Sequence, residues 1–308
     1  MEEGNPRIPS CNKQPALSPS PSMSSISGIM RKAIHFPMKN KKLMLQVFIL
    51  VLIPFMMLLL LHSLIVTPLM AKVEDSYENS SMNHQDLISL VIAEIPFAFA
   101  FCLLLLFASA ITILASVSTH RGESLGPKGV LLSIKYKWKN IFVSGLYCSF
   151  IMTVFIGVTI ILARLTALMG ILAAILAYPY LASICTLMLV ISTVEDECHG
   201  KRAFRCATEI TRQGRFQGYF LMIILFLLSI PVYVLFYVTS TDDDDENCLI
   251  TQFGFLLVAT VLFCLTIFFN TLVHTLFYLD YKQRNGGQIE ELETRYHSVP
   301  TSTNTSDA

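Results

Sequence analysis

The apolar run from Ile141 to Val194 restricts the fold of this chain more than any other feature of its sequence. It is interrupted mainly by Arg164. As one α-helix the run would be roughly 80 Å long, whereas the hydrocarbon core of a bilayer is about 30 Å thick. We therefore expect two membrane-spanning helices here, joined by a tight turn near residues 163–167.

Four other apolar runs are long enough to cross a bilayer, which takes about 20 residues of helix. With the divided run, they predict six spans at about residues 43–69, 87–116, 141–163, 167–194, 217–238 and 249–279. Composition agrees, because 54% of the residues are hydrophobic and only 14% are charged. The expected fold class is an all-α integral membrane protein with six transmembrane helices.

The two ends of the chain differ in composition from its apolar centre. Residues 1–25 are rich in Pro and Ser and cannot bury enough apolar surface to offset the entropy lost on ordering. We expect a disordered cytosolic tail at 1–25, a transmembrane domain at 26–282 and a second disordered cytosolic tail at 283–308.

Charge is segregated along the chain. Lysine and arginine are concentrated in the N-terminal tail and in alternate loops, including those at 117–140 and 195–216, while the opposite side receives only Lys72 and Arg164. Cytosolic loops of membrane proteins carry an excess of Lys and Arg, so both termini are expected in the cytosol. The two basic loops then share a side, which again requires two spans between them.

Each span that runs outward from the cytosol follows a basic, partly amphipathic segment. These segments are 26–42, 129–140 and 201–213. They predict three helical hairpins, each preceded by a basic helix in the headgroup region. In the first segment, a helical-wheel projection places four residues on one apolar face: Ile26, Met30, Ala33 and Ile34.

The third basic segment has the clearest amphipathic pattern. One stripe is apolar and consists of Ala203, Phe204, Ala207 and Ile210. The basic residues expected to contact lipid in the second and third segments are Lys135, Lys139, Lys201, Arg205 and Arg212. Such cations attract anionic lipids of the cytosolic leaflet at about 1 kcal/mol each. The alternative is that they only determine topology.

The acids at 195–197 are expected to complement the N-terminal dipole of the helix that follows.

Two ionisable residues fall inside predicted spans. Glu94 in the second span and His62 in the first are each seven positions from the outer end of their span. Because the two spans are antiparallel, we expect these side chains to pair. An ionisable group in hydrocarbon is a candidate for function, such as a proton relay or a cation site. A structural hydrogen bond between neighbouring helices is the alternative.

Other features of the spans have simpler explanations. His274 lies near the cytosolic end of the last span, where snorkelling or capping explains it. A ridge of small residues, including Ala163 and Gly170, permits close helix packing within one chain or between copies. A homo-oligomer or another membrane protein is therefore a candidate partner.

The sequence carries no motif for an enzyme, a cofactor or a metal site. It has no HExxH, GxSxG, phosphate-binding loop or glycine-rich dinucleotide turn, and its charge implies no nucleic-acid partner. The acidic run at 242–246 lacks the spacing of a calcium loop. Asn79 lies in a glycosylation sequon, and Cys198 and Cys206 are candidates for palmitoylation beside the membrane.

Three stretches resemble a family of uncharacterised plant integral membrane proteins with six spans. They are GIMRKAIHFPMKNKKLM, STHRGESLGPKGVLLSIKYKWKN and ISTVEDECHGKRAFRCATEITRQGRFQGYFLMI. The likeness covers residues 28–285. A more distant similarity is to the membrane domain attached to some bacterial glycerophosphodiester phosphodiesterases, none of whose catalytic residues is matched. The resemblance implies a six-span plant membrane protein and brings no activity with it.

Two functions fit these patterns. The first is a non-enzymatic multi-pass protein of the endomembrane system or plasma membrane that acts in membrane organisation or trafficking. The second is a transporter or channel that uses Glu94 and His62.

Overall fold

The structure is a computed structural model, and it describes residues 26–78, 84–122, 126–195, 198–213, 217–241 and 248–297. These residues form eight α-helices and one short 3-10 helix, and none of them forms a β-strand. The α-helices are α1 (Ile26–His35), α2 (Lys41–Glu78), α3 (His84–Arg121), α4 (Pro127–Leu165), α5 (Ala167–Val194), α6 (Lys201–Gln213), α7 (Gln217–Thr241) and α8 (Cys248–His297). The 3-10 helix Phe36–Asn40 joins α1 to α2.

Five of the helical stretches are long and apolar enough to cross a membrane. They lie in α2 to α5 and in α8, and the apolar part of α7, Gly218–Val232, is shorter. An apolar helix of this length satisfies its own backbone hydrogen bonds in hydrocarbon, which is why such helices span bilayers. The chain is a multi-pass membrane protein of the all-α class.

The long apolar run at 141–194 is divided at Thr166. This residue has an extended backbone (φ −150°, ψ 117°), and its N–H donates to the Leu162 carbonyl at 2.9 Å. Immediately beyond it, Gly170 packs against Ala163: a Cβ added to the glycine would lie 2.5 Å from the alanine Cβ. Small residues of the ridge therefore serve packing within one chain, between α4 and α5.

The second basic segment does not form a helix of its own, contrary to the expectation for 129–140. It is the first part of α4, which runs unbroken for 39 residues, or about 58 Å. The physical reason is that α4 has no proline beyond its first position, and its glycines are tolerated inside a helix. The first segment does separate from its span, where Pro37 lies in the 3-10 helix.

The apolar face predicted for the segment 26–42 also differs from the buried face of α1. Ile29 and Ala33 are the buried residues of α1, whereas Ile34 is 57% exposed. At the other end of the chain, α8 continues to His297, well past the predicted end of the last span.

Helix α8 is central to the bundle and packs against α1, α2, α3, α5 and α7. Buried apolar residues concentrate in the half of the bundle that carries α1 and α6, as with Ile111 in α3, Met188 in α5 and Leu272 in α8. The other half exposes large apolar side chains, such as Leu64 and Ile92. We call this densely packed half of the bundle the basic end. It includes the ends of α5 and α8 that reach it.

Candidate functional site

Helix α6 is held at the basic end by a glycine turn and an apolar face. Gly200 has a φ of +55°, a conformation that glycine adopts without steric cost, and its N–H donates to the buried Ser144 Oγ at 3.1 Å. Three residues of the predicted apolar stripe are buried, namely Ala203, Ala207 and Ile210, whereas the fourth, Phe204, is only partly buried. The opposite, basic face of α6 is thereby fixed toward the outside of the bundle.

A cleft of about 640 Å³ lies along this basic face. Three of the predicted lipid-contacting cations line it together, namely Lys201, Arg205 and Arg212. Glu209 lines it too, so the described lining residues supply three cations and one carboxylate, a net charge of +2. Sequence periodicity predicted that these cations share a face, but the cleft beside them depends on α4 and was not predicted.

Aromatic rings form the apolar wall of this α6 cleft. Tyr147 of α4 meets Phe204 of α6 edge to face, with the ring centroids 5.8 Å apart. Thr208 also lines the cleft, but its hydroxyl donates to the Phe204 carbonyl at 2.8 Å. Two guanidinium groups beside an apolar wall suit an anion that carries an apolar part, because Arg forms paired hydrogen bonds to phosphate or carboxylate oxygens.

The other two predicted cations, Lys135 and Lys139, lie exposed on α4 and do not line this cleft. Between them, Lys137 has a structural role that the sequence did not reveal. Its Nζ donates to the carbonyls of Thr193 and Val194, at 3.1 and 3.4 Å. These carbonyls end α5, so the cation complements the negative end of that helix.

Glu195 binds α8 rather than capping α6, which makes the capping expectation wrong for this residue; residues 196 and 197 lie outside the described residues. Its Oε1 accepts hydrogen bonds from the Tyr278 hydroxyl at 2.5 Å and from Lys282 Nζ at 3.1 Å. Partial burial acts to raise the pKa of Glu195, but these two hydrogen bonds outweigh it and hold that pKa below its usual value. The cluster ties the end of α5 to α8.

The structure brings His62 and Glu94 together. His62 Nε2 lies 3.3 Å from both carboxylate oxygens of Glu94, and the Phe97 ring meets the imidazole edge to face at 5.1 Å. The side chains are 37% and 44% exposed, so the pair lies on the surface of the α2–α3 hairpin. It is remote in the fold from the α6 cleft, in the half of the bundle where large apolar residues are exposed.

The comparison with family models finds one match, to the family described as Domain of unknown function (DUF8558), over residues 22–295. The chain belongs to this family. The match extends from before α1 to nearly the end of α8. No curated protein and no solved structure matches the chain. The kinship with plant proteins and with the bacterial membrane domain stays a prediction.

His274 is fully buried in this DUF8558 member, so the snorkelling interpretation is wrong. Its Nδ1 lies 2.9 Å from the Asn270 carbonyl and its Nε2 lies 3.5 Å from Ser183 Oγ. With the Nδ1 proton donated to the carbonyl, Nε2 accepts from the serine hydroxyl. The histidine therefore links α8 to α5 inside the core.

Among the remaining sites predicted from sequence, Cys198 and Cys206 do not line the cleft. Asn79 lies outside the described residues. Cys198 lies just before α6 and Cys206 lies within it; both have intermediate exposure and remain candidates for lipidation. Within the described part of the chain, no three His, Cys, Asp or Glu side chains converge as metal ligands would.

Proposed function

We propose that this protein is a non-enzymatic multi-pass membrane protein that binds anionic phospholipids of the cytosolic leaflet through the α6 cleft. By this contact it would organise membrane or assist trafficking in the endomembrane system or plasma membrane. The observation that carries the proposal is the convergence of Lys201, Arg205 and Arg212 on one cleft with an aromatic wall.

The proposed topology has six spans arranged as three hairpins, with both termini in the cytosol. Charge segregation supports it, since basic residues flank alternate ends of the predicted spans. The packing of α2 on α3, α4 on α5 and α7 on α8 supports the hairpins. In this topology the basic end lies at the cytosolic surface, where anionic headgroups are available.

The energetics of such a site are sufficient for selectivity. Each well-placed cation contributes about 1 kcal/mol near an anionic surface, and every 1.4 kcal/mol is a factor of ten in affinity. The net charge of +2 thus corresponds to a preference of roughly thirtyfold for an anionic over a zwitterionic headgroup.

Lipid-dependent thermal stability tests this proposal. A ligand that binds only the folded protein raises its melting temperature, so phosphatidylserine should stabilise the detergent-solubilised full chain more than phosphatidylcholine. The double variant Arg205→Gln, Arg212→Gln should lose most of that difference, whereas Arg164→Gln at the opposite end of α4 should keep it. Equal stabilisation of the wild type by both lipids would contradict the proposal.

A transporter or channel is the second candidate function, and the half-exposed His62–Glu94 pair is the observation that favours it. A pair at this depth would relay protons or bind a cation if water or another copy of the chain covered it. Reconstituted vesicles with a pH-sensitive dye inside test this directly. Proton flux that is present in the wild type and lost in Glu94→Gln supports transport, and equal flux in both removes this candidate.

A further inference from the structure

A second cavity lies along α8 and is separate from the α6 cleft. Helices α2 and α7 both pack against α8, and a groove of about 1080 Å³ separates them. Helix α1 and the 3-10 helix close one end of this groove, at the basic end of the bundle. None of the residues that line it lines the α6 cleft.

The lining of this groove is almost entirely apolar. Its walls and floor include Met38, Leu45, Leu228, Leu265 and Phe268. Thr266 is the one polar uncharged side chain in the described part of this lining, and its hydroxyl already donates to the Leu262 carbonyl at 2.9 Å. Such a lining offers nothing to a polar ligand along the length of the groove.

Among the described residues that line the groove, Lys41 is the only charged one, and it lies at the end that α1 closes. Lys41 is exposed, and no carboxylate in the described part of the chain pairs with it. Lys39 and Lys42 flank it in sequence and are also exposed. Lys32 of α1 differs, since its Nζ lies 3.6 Å from a carboxylate oxygen of Asp280. Positive charge is therefore placed at one mouth of an otherwise apolar groove.

We propose that this groove binds the acyl chains of one anionic glycerophospholipid, with the phosphate-bearing headgroup on Lys41. The inference rests on the membrane-embedded topology proposed above. In that topology the groove runs from the cytosolic surface, at Lys41, toward the middle of the spans, at Leu228 and Leu265. An apolar channel ending in a cation matches the shape and charge of a lipid of that leaflet, and basic pockets between spans bind such headgroups.

Other occupants fit this groove less well. An extended peptide segment would bring unpaired backbone N–H and C=O groups into hydrocarbon, which costs several kcal/mol per group. A soluble apolar molecule would make no ionic contact with Lys41 at the mouth of the groove. The exposed flanks at Met38 and Leu45 leave the groove open sideways, so a lipid can enter from the bilayer. Seated there, the lipid would bridge α2 to α7, which the protein alone leaves apart.

Photolabelling of the full chain in nanodiscs tests this site. The probe is phosphatidylserine with a diazirine on its acyl chain, at a small fraction in phosphatidylcholine, and a phosphatidylcholine probe with the same chain is its match. Mass spectrometry should find the label on residues 44–48 of α2 and 262–269 of α8. The phosphatidylserine probe should label these about fivefold more strongly, as expected for one cation.

Two variants separate the headgroup from the acyl chains. Lys41→Gln should remove the fivefold preference and retain labelling, while Lys135→Gln, a matched exposed lysine outside the groove, should change neither. Leu265→Trp, at an exposed lining position, should fill the groove and abolish labelling by both probes. Equal labelling by both probes in the wild type, or full labelling in Leu265→Trp, would overturn the proposed lipid site.

The same samples distinguish this inference from the proposed function of the α6 cleft. The variant Arg205→Gln, Arg212→Gln should keep its groove labelling and lose most of its phosphatidylserine-dependent thermal shift, with the fivefold preference at Lys41 accounting for the remainder. An intact thermal shift without groove labelling overturns the groove site alone, and groove labelling without that shift overturns the function of the cleft alone.

Discussion

The Tyr278 hydroxyl donates a 2.5 Å hydrogen bond to Glu195, which joins the end of α5 to α8 at the basic end. Lys282 donates to the same oxygen and lies 6.0 Å from the centroid of the Tyr278 ring. A charge-assisted hydrogen bond of this kind contributes about 1.5–3 kcal/mol when it is well formed. Stability at the basic end should therefore depend on the ionisation of one carboxylate.

We expect Glu195→Gln to lower the melting temperature at neutral pH and to have no effect in acid. Because the folded-state pKa of Glu195 is lowered, its ionised form stabilises the fold above the unfolded-state pKa. This contribution is lost as pH falls through the folded-state pKa. Thermal unfolding of both proteins across the acid range checks this. A difference that stays constant with pH would contradict it, and Tyr278→Phe should lower stability as well.

We expect Gly170→Ala to destabilise the α4–α5 hairpin by about 1–3 kcal/mol, as overpacking does. The added Cβ would lie 2.5 Å from the Ala163 Cβ and 2.6 Å from its Cα, so the backbone of one helix must move. Gly157→Ala on α4 is the matched control. No atom lies within 4 Å of its added Cβ, and alanine favours the helix by up to about 1 kcal/mol. Denaturation in mixed micelles measures the free energy of unfolding of both variants. Equal values for Gly170→Ala and Gly157→Ala would contradict the prediction.

We expect Gly200→Ala to weaken lipid selectivity as well as stability. Its φ of +55° is strained for an alanine by roughly 1–2 kcal/mol, and relief of that strain would move the start of α6 away from Ser144. The thermal shift caused by phosphatidylserine should shrink. Gly254→Ala, with open space around its added Cβ, should leave that shift unchanged. If phosphatidylserine raised the melting temperature of Gly200→Ala as much as that of the wild type, the position of α6 would not depend on the turn at Gly200.

A double-mutant cycle of His62→Ala and Glu94→Ala should give a coupling energy of about 0.6 kcal/mol, the average for polar pairs between membrane helices. The 3.3 Å contact and the partial exposure of both side chains support a value of this size. Chemical or thermal unfolding of the four proteins measures it. Additive effects of the two substitutions would mean that the contact contributes nothing to the hairpin.

Some of this structure follows from simple physical limits on the sequence. The break at Thr166 was expected because no single helix of 54 residues (141–194) fits a bilayer. The meeting of His62 with Glu94 was expected because two residues at equal depth on antiparallel neighbours face each other. The burial of Ala203, Ala207 and Ile210 was expected because a period of 3.6 residues places them on one side of α6, but Phe204, expected beside them, lines the cleft.

The rest depends on tertiary contacts that no local pattern encodes. Nothing in the segment 129–140 shows whether it forms a separate helix or the first part of the spanning helix α4. Its helical periodicity is the same in both cases. Glu195 and Tyr278 are 83 positions apart, and their contact exists only because α8 packs beside α5. The groove at Lys41 likewise exists only because α2 and α7 both pack on α8.

The most direct test of the central claim is to locate anionic headgroups on the full chain. Phosphatidylserine that carries a photoreactive group on its headgroup would be incorporated into nanodiscs with the wild type and with Arg205→Gln, Arg212→Gln. The account predicts that the label concentrates on α6 and on Tyr147, and that the double variant reduces it about tenfold or more at these positions. Labelling of Lys135 and Lys139 as strong as that of α6, unchanged in the double variant, would contradict it.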